Sequence, residues 1–259
     1  MKKIWKERMS CYLPRLVSLP GEVSVFAKDL TTGEIWAYQP DIPLVAASVI
    51  KLPILVEAFR QVRDGLADMN ETFAVRPEQK MPGCGALTRL RDGIQVTLHD
   101  LCVLMIILSD NTATNMLIER LDMEPINETI RSLGLNKTTL RRRLFDMEAS
   151  ARGIENTITC LEIGMMLERL YDGSCVSPEA DAEMLSILSE QQLNGKIPFF
   201  LPEIRIAHKT GEDDGITHDV GILYADHPVI VCFGSEHTDV PAFERCIQDI
   251  ARGFIESIG

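Results

Sequence analysis

Ser48-Val49-Ile50-Lys51 sets a hydroxyl and an amine three residues apart. On an α-helix that spacing puts both side chains on one face, about one turn from each other. A serine hydroxyl becomes a good nucleophile only when a base takes its proton, and a lysine stripped of water can be that base. The same four residues also describe an ordinary helix start, with Ser48 as N-cap and Lys51 as a solvated charge. Context has to decide between them. Two further stretches carry polar groups suited to a site: Ser109-Asp110-Asn111 and Lys209-Thr210-Gly211. Taken singly, the first reads as a capped loop between helices and the second as the end of a strand.

The elements that must position these groups follow from the pattern. Residues 22–28 alternate and are rich in β-formers, Asp29 to Gly33 turn the chain, and 34–38 return as a second strand. A loop from Pro40 to Pro43 leads into the helix that carries Ser48 and Lys51, with Pro53 near its first turn, where a missing N–H does least harm. Residues 61–95 look irregular, with Met81 to Gly85 as a connector and a short extended piece at 94–96. Thr97, with Asp100 three residues on, predicts a capped helix over 98–108 that stops at Ser109-Asp110-Asn111. Helices are expected at 113–121, from Pro125 to Leu133, and at 160–171 and 178–191, and a basic cluster, Arg141 to Arg143, precedes a polar loop. Strands follow at 203–210, 217–225 and 228–235, with Gly211 to Gly215 as a hairpin turn, and 240–257 closes the chain as an amphipathic helix. His208 is expected to face the side of the sheet opposite Lys209, and His218 and Asp219 to support the sheet. There is no internal repeat.

Strands at both ends and helices between them predict an α/β chain of the α+β type. Its antiparallel sheet is formed by both chain ends and flanked by helices, with an inserted all-helical lobe. The expected organisation is one domain over 1–259, with a sheet lobe near 20–60 and 195–259 and a helical lobe near 61–194. At 259 residues such a chain can bury a substantial core. The net charge of −12 argues against a general nucleic-acid binder, which carries a basic face, but leaves room for one cationic pocket and a small anionic substrate. Seven cysteines without C-x-x-C spacing fit free thiols in a reducing compartment better than disulfides or a zinc site. Near the start, Lys2, Lys3, Lys6 and Arg8 are not followed by the apolar run of an export signal, and no segment of about 18 apolar residues offers a membrane span. The chain as given reads as cytoplasmic.

Together and in order, S-x-x-K, S-D-N and K-T-G resemble the signature of class A β-lactamases and penicillin-binding proteins. The run Leu108 to Asn115 and the stretch His218-Asp219-Val220-Gly221 extend the resemblance, which spans residues 20–258. It implies the β-lactamase/transpeptidase-like fold and a serine hydrolase that opens a β-lactam through an acyl-enzyme on Ser48, without metal or cofactor. Lys51 would be the base or activator, Ser109 a proton relay to the leaving group, and Asn111 a hold on substrate or on Lys51. Lys209 would supply positive charge for a substrate carboxylate, Thr210 a hydroxyl to the same group, and Gly211 room along the strand. Backbone N–H groups of Ser48 and Glu212 would hold the oxyanion. Related readings are an esterase, amidase or D-Ala-D-Ala peptidase-like hydrolase, and a sensor that acylates and deacylates slowly.

Two departures stand out. Class A enzymes carry a deacylating glutamate, usually as Arg-x-Glu-Pro followed by Leu-Asn. The corresponding stretch here runs from Arg141 to Ser150 with neither motif, leaving Asp146, Glu148 or Glu155, of which Asp146 falls nearest the expected spacing. The second is Glu212, where the family has a small or hydroxyl residue. A carboxylate there repels an anionic ligand unless it is protonated or turned away.

Overall fold

The computed structural model describes residue 7 and residues 9–258; Lys2, Lys3, Lys6 and Arg8 lie outside the described residues. One five-stranded antiparallel sheet organises the chain, in the order β2 (Ile35–Tyr38), β1 (Glu22–Asp29), β9 (Val229–Glu236), β8 (Ile216–Tyr224), β7 (Arg205–Asp213). The amino-terminal hairpin and the three carboxy-terminal strands meet where β1 pairs with β9 along its whole length, from Glu22↔Glu236 to Asp29↔Val229. Strand alternation sorts the core into two clusters. Val25 and Ala27 of β1, with Val229, Val231 and Phe233 of β9, face the carboxy-terminal helix Val240–Ile258 through Phe243, Ile247 and Phe254. Phe26, Ile230 and Cys232 face the opposite way, into the cluster shared with the internal helices.

Those helices are α1 (Lys51–Arg63), α2 (Leu98–Ile107), α3 (Asn111–Leu121), α4 (Met123–Ser132), α5 (Cys160–Tyr171) and α6 (Pro178–Ser189). Three have the starts that the sequence prescribes. Thr97 and Asp100 close the reciprocal capping box of α2, Thr159 caps α5, and Ser177 caps α6 ahead of Pro178. Two short sheets complete the frame: β3 (Leu44–Val45) with β6 (Thr157–Ile158), and β4 (Thr72–Ala74) with β5 (Gln95–Thr97). So residues 61–95 are less irregular than their sequence suggests, because β4 finds β5 across the loop.

One expected boundary is wrong in a way that matters. The turn predicted over Gly211 to Gly215 is shorter, because β7 continues through Glu212 and Asp213, and Asp214-Gly215 alone make the reversal, with Gly215 at φ +67°. Gly211 and Glu212 are therefore strand residues, paired with His218 and Thr217. β7 is also the edge strand, so one row of its backbone groups faces away from β8.

Candidate active site

Ser48 lies in a 3-10 turn, Ala47–Ile50, that runs directly into α1. The turn is held from behind. Ala46 N donates to Asn156 O at 2.8 Å, and His218 Nε2 sits 2.8 Å from Val45 O. Because Ser235 N donates to His218 Nδ1 at 3.1 Å, the ring proton is on Nε2, and burial pushes the imidazole down to about 4. His218 is thus a neutral strut with both nitrogens committed. Ala47 takes a left-handed φ of +42°, a strained conformation for a residue with a Cβ. Gly211 lets β7 approach: a Cβ there would stand 3.3 Å from Ser48 N and 3.2 Å from Val49 Cγ2.

Lys51 is fully buried, and its Nζ donates to Ser109 O (2.8 Å), Ser109 Oγ (3.0 Å) and Asn111 Oδ1 (2.9 Å). Those three acceptors lie in the S-D-N loop; no bond from Lys51 to the Ser48 hydroxyl is formed among the described residues. Burial, then the nearby Lys209, hold the Lys51 amine well below its ordinary range. Ser109, itself at a left-handed φ of +53°, also accepts from Lys209 Nζ at 3.0 Å, and Lys209 donates to Thr210 O at 2.8 Å. Lys209 is likewise buried, and burial is the main reason that its amine falls to about 7; Asp219 opposes the shift and Lys196 adds to it. One hydroxyl therefore bridges two amines that both lose protons easily.

The S-D-N loop is itself braced. Asp110 accepts from Ala113 N as the cap of α3, and its other oxygen takes Ala86 N (2.7 Å) and Leu87 N (2.8 Å). Gly85 at φ +117° is packed against it; a Cβ there would be 2.3 Å from Asp110 Cγ. Asn111 is fixed from both ends, by Lys51 at Oδ1 and by Pro82 O, to which Nδ2 donates at 3.0 Å. His208 points away from Lys209, to Asp219 Oδ1 at 2.8 Å and Asn194 Oδ1 at 3.1 Å.

Ser48 opens onto a cavity of about 420 Å³ whose wall includes Asn111, Leu144, Glu155 and Glu212. The three carboxylates proposed for deacylation separate here. Asp146 caps a short helix, Met147–Ala151, through Ala149 N and lines a neighbouring cavity of about 410 Å³ instead. Glu148 points to solvent. Glu155 faces the Ser48 cavity, but Arg142 (2.5 and 2.9 Å) and Ser150 Oγ (2.5 Å) hold its carboxylate. Sequence reasoning gave Asn115, whose amide clamps Leu144 by two 2.9 Å bonds, no role of its own, and passed over Lys196, buried beside β7, which belongs to no motif and carries no local signal. No cluster of three His, Cys, Asp or Glu side chains is placed to hold a metal ion among the described residues.

This arrangement has known counterparts. A family profile described as the β-lactamase enzyme family matches residues 13–258. A β-lactamase structure from Sphaerobacter thermophilus superposes with a TM-score of 0.89 at 30% identity, covering 97% of each chain. A mutant of PBP-A, solved as an acyl-enzyme complex with penicillin G, superposes with a TM-score of 0.87 at 25% identity, over 97% of this chain and 96% of that one. The β-lactamase regulatory protein BlaB of Streptomyces cacaoi is 30% identical over 125 residues, which are 48% of this chain and 40% of that protein. With the three motifs joined at the Ser109 hydroxyl and a profile match along nearly its whole length, this chain belongs to the β-lactamase enzyme family, as a serine hydrolase of the class A type that acts on β-lactam amide bonds.

Proposed function

We propose that Ser48 Oγ attacks the β-lactam carbonyl and that Lys51, Ser109 and Lys209 move the protons. Lys51 in its uncharged form takes the Ser48 proton as the Oγ–C bond forms. The proton passes through Ser109 Oγ to the ring nitrogen as the C–N bond breaks, leaving an acyl-ester on Ser48. N–H groups of the Ser48 turn and of edge strand β7 stabilise the oxyanion. Asn111 holds Lys51, and Lys209 adds a second amine beside the Ser109 hydroxyl. The observation that carries this reading is the Ser109 hydroxyl 3.0 Å from both amine nitrogens, each depressed by burial.

Deacylation is the slow step. The stretch from Arg141 to Ser150 carries no Arg-x-Glu-Pro, and within it Leu144, pinned by Asn115, lines the Ser48 cavity with an apolar side chain. Glu155 is tied to Arg142, so its carboxylate is not free to activate the attacking water. The test is the intact mass of the protein over time after mixing with a penicillin or a cephalosporin. The expected result is one adduct per chain, mapped to Ser48, that outlasts its formation many times over and is absent in Ser48→Ala. A missing adduct, or one retained by Ser48→Ala, overturns the mechanism.

A further inference from the structure

Lys196 is a buried cation beside the end of β7 that reaches the site. It precedes the turn Ile197–Phe200, and Ile197 N donates to the buried Asp219 Oδ2 at 3.0 Å, which fixes the backbone beside β8. Its Nζ reaches two strand carbonyls, His218 O at 3.1 Å and Gly211 O at 3.5 Å. Its third partner is Glu212 Oε1 at 2.9 Å. The two members of this pair differ: the Lys196 side chain is 4% exposed, while Glu212 is 57% exposed and lies on the rim of the Ser48 cavity. A buried cation with two neutral acceptors keeps a strong need for one anion, and here the protein supplies it from the residue after K-T-G. Lys209 senses both groups, pushed down by the Lys196 ammonium and up by the Glu212 carboxylate. The Glu212 carboxylate is thus tied to Lys196 at the rim of the Ser48 cavity, where an anionic ligand entering that cavity would meet it.

We propose that Glu212 is a specificity residue: paired with Lys196, its carboxylate stands in for the anionic group of a substrate, so the site favours acyl donors that carry no carboxylate beside the reacting carbonyl. A substrate carboxylate that enters must either displace Glu212 from Lys196 or lie against it, and both weaken its binding. A neutral ester or amide meets an ion pair already closed and loses nothing. The inference rests on acylation at Ser48. It concerns which ligands reach that serine, a property that neither Ser48 nor Lys51 sets.

The experiment compares a chromogenic cephalosporin with its own carboxyl methyl ester, reading the second-order rate constant of acylation by mass and absorbance. Wild type is expected to acylate faster with the ester. Glu212→Gln keeps the shape but removes the charge, and it is expected to move the acid-to-ester ratio at least about tenfold toward the acid. Glu212→Ser should move it the same way, and serves if the glutamine variant does not fold. In the double variant Glu212→Gln/Lys196→Met the gain is expected to disappear, because the acid no longer finds the freed ammonium. A ratio that changes less than about threefold in both Glu212 variants, or a gain that survives loss of Lys196, overturns the proposal. Acylation by neither compound in any variant overturns the Ser48 reading instead, and this inference with it.

Discussion

Two buried amines share the Ser109 hydroxyl, and their cost to the fold can be read from the direction of their shifts. Lys209 titrates near 7 in the folded chain against an ordinary 10.5. Between those values the unfolded chain holds more protons, so stability rises with pH across that window; below about 7 both states are protonated and the penalty stays constant. Replacing Lys209 with methionine, similar in length but apolar, removes that penalty. Lys209→Met is expected to be more stable than wild type by about 1–3 kcal/mol at pH 7, less than the full shift because the bonds to Ser109 and Thr210 go with it. The advantage should shrink toward pH 10, and acylation should fall sharply. Thermal midpoints of both proteins at pH 7 and pH 9.5 check it; a variant less stable at pH 7, or an advantage that grows with pH, refutes it. His218 makes the contrasting case: also buried and pushed down to about 4, it stays neutral and links Val45 to Ser235.

At the scale of elements, the site is assembled by pieces that brace one another. The S-D-N loop is locked by Asp110 to residues 86–87, the Ser48 turn is hung from β6 and β8, and Asn115 of α3 pins the segment after Arg142. The last of these bears on the proposed slow deacylation. Because two bonds to the backbone hold Leu144, its side chain can change without moving the segment. Leu144→Glu places a carboxylate on the cavity wall and is expected to shorten the lifetime of the Ser48 adduct by at least about tenfold, with the acylation rate little altered. Decay of the adduct by intact mass measures it. An unchanged lifetime in a folded variant means that this wall does not face the attacking water.

For the molecule as a whole, the contact between helices and sheet sets the distance from Ser48 to β7. Helix α5 crosses the sheet at Gly164, where an added Cβ would fall 2.4 Å from the Phe26 ring of β1. Phe26 is itself buried in the core, so its ring can yield only by displacing packed neighbours. Gly164→Ala is therefore expected to destabilise the fold by about 1–3 kcal/mol, seen as a lower denaturant midpoint with an unchanged slope. Acylation stoichiometry should remain one per chain, since no site residue lies at that crossing. A midpoint equal to wild type shows that the helix shifts at no cost.

The sequence by itself determined the family resemblance and the order of the elements. Three short motifs, ambiguous singly but distinctive together and in order, point to Ser48, Lys51, Ser109, Asn111, Lys209 and Thr210. Local patterns were equally legible where the cause is local: the Thr97–Asp100 capping box, the alternation of β1, the start of α6 at Ser177-Pro178. Tertiary structure decided everything that depends on two distant segments meeting. It set β4 against β5, extended β7 past Gly211, sent Asp146 to a helix cap and Glu155 to Arg142, and directed Lys51 to the S-D-N loop. It also turned Glu212, which the sequence could present only as an awkward charge, toward a lysine 16 residues upstream that no motif marks. The physical reason is one of range. Caps, turns and strand alternation are fixed by neighbours within about four residues, while burial and ion pairing depend on what the rest of the chain brings to the same place.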